Sequence, residues 1–132
     1  MEGDNKVVLL ADDEADFREI FSIKLKKAGY TIIEASDGAE AVEKAKEHHP
    51  DLILMDVKMP GTDGIQAFFK LREANQNIKV IFLTNFAEPR SEAAAIDDKF
   101  AAEIGAVDYI KKTEDADDVV AKVNEIIAQQ KR

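Results

Sequence analysis

Five short apolar runs punctuate the chain: VVLLA (7–11), TIIEA (31–35), LILM (52–55), KVIFL (79–83) and AVDYI (106–110). Three of them are nearly unbroken rather than alternating, the pattern of strands buried on both faces of a helix-covered parallel sheet. Between the runs, apolar residues recur at helical spacing. Phe17, Ile20, Phe21, more loosely Ile23, then Lys24 and Leu25 lead to Ala28, and Gly29 is placed to close a first helix. Asp37 can cap a second helix, with Ala41, Val42 and Ala45 on one side and Pro50 after its end. Ile65, Phe68, Phe69 and Leu71–Arg72 mark a third, ending in the polar EANQN. Ile96, Phe100 and Ile104 mark a fourth, closed by Gly105, and Val119, Val120, Val123, Ile126 and Ile127 a fifth. The order is βαβαβαβαβα. With right-handed crossovers this predicts an α/β fold, a doubly wound five-stranded parallel sheet with helices on both faces.

Composition narrows the function. The 132 residues suit one compact domain, and 45% apolar content supports a packed core. There is no cysteine, so disulfides, thiolate metal sites and cysteine nucleophiles are excluded. The polar start MEGDNK has neither the basic nor the apolar region of a signal peptide, and no apolar run reaches membrane-span length, so a cytoplasmic location away from the membrane is expected. A net charge of −9 repels nucleic acid, which argues against direct binding to it.

In open α/β sheets ligands bind beyond the carboxyl ends of the strands. Asp12, Asp13 and Glu14 follow the first strand, Asp56 the third, Thr84 the fourth, and Lys111 and Lys112 the fifth. Each has a plainer reading alone. The first acids can load a helix N-terminus, Asp56 can be a turn residue, Thr84 a strand former, and the lysines solvated charges. Together they make a set. Carboxylates converging at one edge repel each other unless a cation sits among them, and hard oxygen ligands suit Mg2+. A neighbouring lysine and hydroxyl can hold phosphoryl oxygens, and an aspartate is a competent nucleophile for an acyl phosphate. The chemistry that fits is phosphoryl transfer onto Asp56.

The motifs LLADDE, LILMDVKMPGTDG, VIFLT and GAVDYIKK, in this order, closely resemble those of the receiver domain of bacterial two-component response regulators, the chemotaxis-regulator fold. The resemblance spans about residues 6–128 of a single domain, 1–132, with no effector domain expected after it. It implies a flavodoxin-like (βα)5 fold with strand order 2-1-3-4-5. It implies Asp56 as phospho-acceptor, with Asp13 a direct Mg2+ ligand, Asp12 acting through water, and the Lys58 backbone carbonyl completing the protein ligands. Thr84 matches the switch hydroxyl, Tyr109 the switch aromatic and Lys112 the family lysine. The expected phosphodonor is a sensor histidine kinase or His-phosphotransfer protein. The expected output is a protein partner bound at the face of helix 4, strand 5 and helix 5, by a monomer or a phosphorylation-dependent dimer. Such a protein is a switch rather than an enzyme, with self-phosphorylation and slow autodephosphorylation only.

Two departures stand out. Thr113 follows Lys112 where the family usually has proline, and the stretch from Thr84 to Gly105 is longer than the family's, which predicts a longer loop or an extended fourth helix on the output face. Other classes fit less well. An aspartate-nucleophile phosphohydrolase of the haloacid-dehalogenase type carries its nucleophile after the first strand in a DxDx[TV] pattern, which DDEAD does not match. A flavodoxin-like ligand binder lacks its phosphate loop. A degenerate receiver serving only for docking would not need the intact Asp12, Asp13, Asp56, Thr84 and Lys112 set.

Overall fold

The structure, a computed structural model, describes residues 6–56, 64–74, 78–84, 108–111 and 116–129. Five strands form one parallel sheet: β1 (Val7–Ala11), β2 (Thr31–Ala35), β3 (Leu52–Asp56), β4 (Val80–Thr84) and β5 (Asp108–Lys111), in the order β2-β1-β3-β4-β5. The expected order therefore holds. Among the described residues three helices, α1 (Ala15–Lys27), α2 (Gly38–His48) and α3 (Gly64–Ala74), and a C-terminal helix (Ala116–Gln129) accompany it. The expected helix around Ile96–Ile104 lies outside the described residues.

The unbroken apolar runs follow from burial on both sheet faces. Leu9, Ala11, Ile53, Met55, Val80 and Phe82 pack on one side with Ala41 and Ala45 of α2 and Ala67, Phe68 and Leu71 of α3. Val8, Leu10, Leu52, Leu54, Ile81 and Leu83 face the other way, against Phe21 and Leu25 of α1 and Val119, Val123, Ile126 and Ile127 of the C-terminal helix. Successive residues of β1, β3 and β4 thus feed opposite layers, as the two-residue repeat of a strand requires.

The helix stripes are narrower than their spacing suggested. Ile20 (53%), Ile23 (47%) and Phe69 (46%) are exposed. One helix face is enough to cover the sheet, and α1 buries Phe21, Ser22 and Leu25 instead. Three strands also end later than their apolar runs, β5 among them, which reaches Lys111 rather than Ile110. β4 runs one residue later than KVIFL and takes in Thr84, and β3 includes Asp56 as its last residue.

Helix ends are fixed by local chemistry. After α1, Gly29 adopts φ 104°. Its N–H donates to the Lys26 carbonyl at 3.0 Å, and the Tyr30 N–H reaches the Leu25 carbonyl at 3.2 Å. This is the paired closure of a Schellman motif, completed by burial of Tyr30 and Leu25 in the same layer. α2 is closed by its C-cap His49, which takes the left-handed conformation (φ 49°, ψ 60°) just before Pro50. The neighbouring Asp51 then ties the start of β3 to that of β1: its carboxylate accepts the Val7 N–H at 2.8 Å and its own N–H donates to the Val7 carbonyl at 2.7 Å. No helix among the described residues is long and apolar enough to cross a membrane.

Candidate functional site: an acidic cluster at the carboxyl edge of the sheet

The register of the sheet sets the site. Ala11 pairs with Met55 in β3 and with Ala35 in β2, so the next residue, Asp12, comes level with Asp56. The Asp12 N–H continues the β2 ladder one step, donating to the Ala35 carbonyl at 3.0 Å. On the other side Asp56 pairs with Leu83, which places Thr84 one step further along the same edge, opposite Lys111. Tyr109 lies inside β5, opposite Phe82.

Asp12 and Asp56 are buried while Asp13 is exposed, and one carboxylate oxygen from each lies within 4.8 Å of the others. The first acids do sit at the N-terminus of α1, where the plainer reading puts them, with Asp16 in its first turn. Glu14 occupies the N-cap of α1 without a side-chain hydrogen bond to the helix. Asp12 instead folds back locally, its Oδ1 accepting the Glu14 N–H at 2.9 Å.

Three carboxylates this close repel one another, the more so where burial lowers the effective dielectric. Burying two of them needs a compensating charge. Donor oxygens around a single Mg2+ lie roughly 3–4 Å apart, and a ligand acting through water lies farther out. A spread of up to 4.8 Å therefore fits one hard cation with a water-bridged ligand. The all-oxygen donor set, with no histidine or cysteine in the cluster, favours Mg2+ over softer metals.

Of the residues singled out from the sequence, the structure thus brings Asp12, Asp13 and Asp56 together and puts the backbone of Thr84 on the same edge. Lys58 and Lys112 lie outside the described residues. Reading the sequence missed Arg18 and Glu34. Arg18 Nη1 donates to the Asp12 carbonyl at 2.6 Å, and its Nε donates to Glu34 Oε1 at 3.1 Å. The only signal available was a charge near the start of α1, which reads as a solvated face.

Comparison with known proteins agrees with this geometry. The family model of the response regulator receiver domain matches residues 8–124. The chain is 36% identical over 121 residues to the chemotaxis protein CheY of Bacillus subtilis, covering 91% of this chain and 96% of that one. It is 35% identical over 123 residues to the alkaline phosphatase synthesis transcriptional regulatory protein PhoP of the same organism, covering 93% of this chain but 49% of PhoP. It therefore spans nearly all of one relative and about half of the other. Among solved structures, a CheY-like receiver domain from Methanospirillum hungatei superposes with a TM-score of 0.83 at 25% identity, with 96% of each chain covered. The response regulator TrrA of Thermotoga maritima, solved in complex with Mg(2+)-BeF, superposes with a TM-score of 0.75 at 30% identity, covering 91% of this chain and 97% of that one. A family match over most of the chain, a sheet in the order β2-β1-β3-β4-β5 and three acids gathered at its carboxyl edge lead to one conclusion: the chain belongs to the receiver domain family of two-component response regulators, whose members act as phosphorylation-controlled signalling switches.

Proposed function

We propose that this chain accepts a phosphoryl group on Asp56 from a phosphohistidine of a sensor kinase or His-phosphotransfer protein. The observation that carries this reading is the position of Asp56: the last residue of a buried strand, with the Asp12 and Asp13 carboxylates within 4.8 Å. A carboxylate oxygen of Asp56 attacks the phosphorus, the phosphorus–nitrogen bond of the donor breaks, and the imidazole leaves with that electron pair. The product is an aspartyl phosphate.

Asp12, Asp13, Asp56 and the Lys58 carbonyl would hold Mg2+, which when bound offsets the negative charge that gathers on the transferring group. The rest falls to the chain itself. β3 fixes the nucleophile at its buried end. Thr84, one step beyond the level of Asp56, and Lys112, just past the end of β5, would take up the new phosphoryl oxygens. Their rearrangement, with that of Tyr109, would change the face built on helix 4, strand 5 and helix 5 and so its affinity for a protein partner.

The test is intact-mass spectrometry after incubation with acetyl phosphate and Mg2+. One added phosphoryl group is expected on the wild type and none on Asp56→Asn. An unmodified wild type that nevertheless binds Mg2+ would defeat the reading.

A further inference from the structure

Arg18 sits on α1, one turn past the acidic cluster, and is mostly covered. Its guanidinium is shared between two acceptors on different elements: the Asp12 carbonyl at 2.6 Å and Glu34 Oε1 of β2 at 3.1 Å. Glu34 is itself held. The buried Ser22 hydroxyl donates to its Oε2 at 3.4 Å, and Lys44 Nζ donates to its backbone carbonyl at 2.6 Å. A planar fork of donors suits such a bridge, whereas an ammonium is a single point of charge.

What Arg18 grips matters more than how tightly. The Asp12 carbonyl belongs to the peptide that joins Asp12 to Asp13. The Asp12 N–H is already fixed by Ala35, and its Oδ1 accepts the Glu14 N–H. The grip on the carbonyl fixes the plane of the next peptide. That plane determines where the chain carries Asp13, the exposed member of the cluster and the one with least packing to hold it.

We propose that Arg18, anchored by Glu34, is a positioning residue for the cation site, setting the spacing of the Asp12 and Asp13 carboxylates and through it the affinity for Mg2+. The proposal rests on the phospho-acceptor reading above. It also opposes the simple electrostatic expectation. A fixed positive charge beside a cation site should weaken cation binding, so removing it should tighten binding. The positioning role requires the reverse.

Titration calorimetry of metal-free protein with MgCl2 at constant ionic strength distinguishes the two, with thermal unfolding in EDTA measured alongside. For Arg18→Met the Mg2+ Kd should rise about tenfold, at the lower end of what outer partners of metal ligands contribute. Arg18→Lys should fall between Arg18→Met and wild type. A Kd for Arg18→Met within twofold of wild type, or below it, overturns the proposal. So does a lowered melting temperature in EDTA with the Kd unchanged, which would make the contact merely structural. If Arg18→Met does not fold, the comparison passes to Glu34→Gln, which weakens the anchor and keeps the arginine; an unchanged Kd there overturns the proposal equally. A wild-type chain that binds no Mg2+ would overturn the phospho-acceptor reading as well, whereas a binding wild type with an indifferent Arg18 overturns this inference alone.

Discussion

At the start of α2 two carboxylates do different work. Asp37 takes the N-cap and accepts the Glu40 N–H at 2.8 Å. Glu40 turns back, its Oε1 accepting the Ser36 N–H at 2.6 Å and the Ser36 hydroxyl at 3.2 Å. Replacing Asp37 by alanine leaves a first-turn N–H to water and should cost about 1 kcal/mol in urea denaturation. Glu40 adds a pH dependence. The bond from the Ser36 N–H holds its carboxyl below the ordinary 4.5, with Lys44 assisting and desolvation opposing. A carboxyl depressed in the folded state stabilises fully above its unfolded value. That contribution is lost as pH falls from about 4.5 through the lower folded value. Glu40→Gln should therefore be less stable than wild type at pH 7, by no more than a few tenths of a kcal/mol for so solvent-accessible a group, and the gap should shrink as pH falls below about 4.5. A gap that persists undiminished in acid would show that shape, not charge, makes the contact.

The elements show why some features are legible in a sequence and others are not. Gly29 was readable because a left-handed residue after a helix is a local demand that glycine meets most cheaply. Its φ of 104° makes Gly29→Ala costly, roughly 1–2 kcal/mol by denaturant midpoint, with the slope unchanged. The strands were readable for the same kind of reason, since double burial writes itself into consecutive residues. The helix faces were less so. Ile20, Ile23 and Phe69 fit an apolar period yet stay exposed, because the period gives a stripe's direction and not its width. Asp51, after Pro50, looks like an ordinary turn acid. Its bonds to Val7, 44 positions away, depend on two strands meeting and leave no trace in the local pattern. Arg18 escaped for the same reason. Both its acceptors are supplied by other segments, so spacing along α1 says nothing of them. The acids of the site lay between these cases. Each was ambiguous alone, and only the strand order made them neighbours.

For the molecule as a whole, the acidic cluster sets function against stability. The chain carries a net charge of −9, and folding concentrates three of its negative charges within 4.8 Å at the edge of the sheet. The unfolded chain can separate them, so without a cation the cluster should destabilise the fold. Mg2+ that binds only the folded form stabilises it through mass action, by about 2.7 kcal/mol at a hundredfold excess over Kd, or on the order of 10 °C in melting temperature for a chain this size. The two effects predict a crossing. Asp13→Asn removes one charge from an exposed position, with little disturbance to packing, and takes away a ligand. In EDTA it should melt a few degrees above wild type. In saturating Mg2+ it should melt below it, because wild type gains the binding energy and the variant gains little. Scanning calorimetry of both proteins in both buffers is sufficient. A variant less stable than wild type in EDTA would mean that Asp13 is held by favourable contacts and not strained by its neighbours. The cost of gathering the acids would then lie with the buried pair, Asp12 and Asp56, where the same four measurements on Asp12→Asn would have to show the crossing.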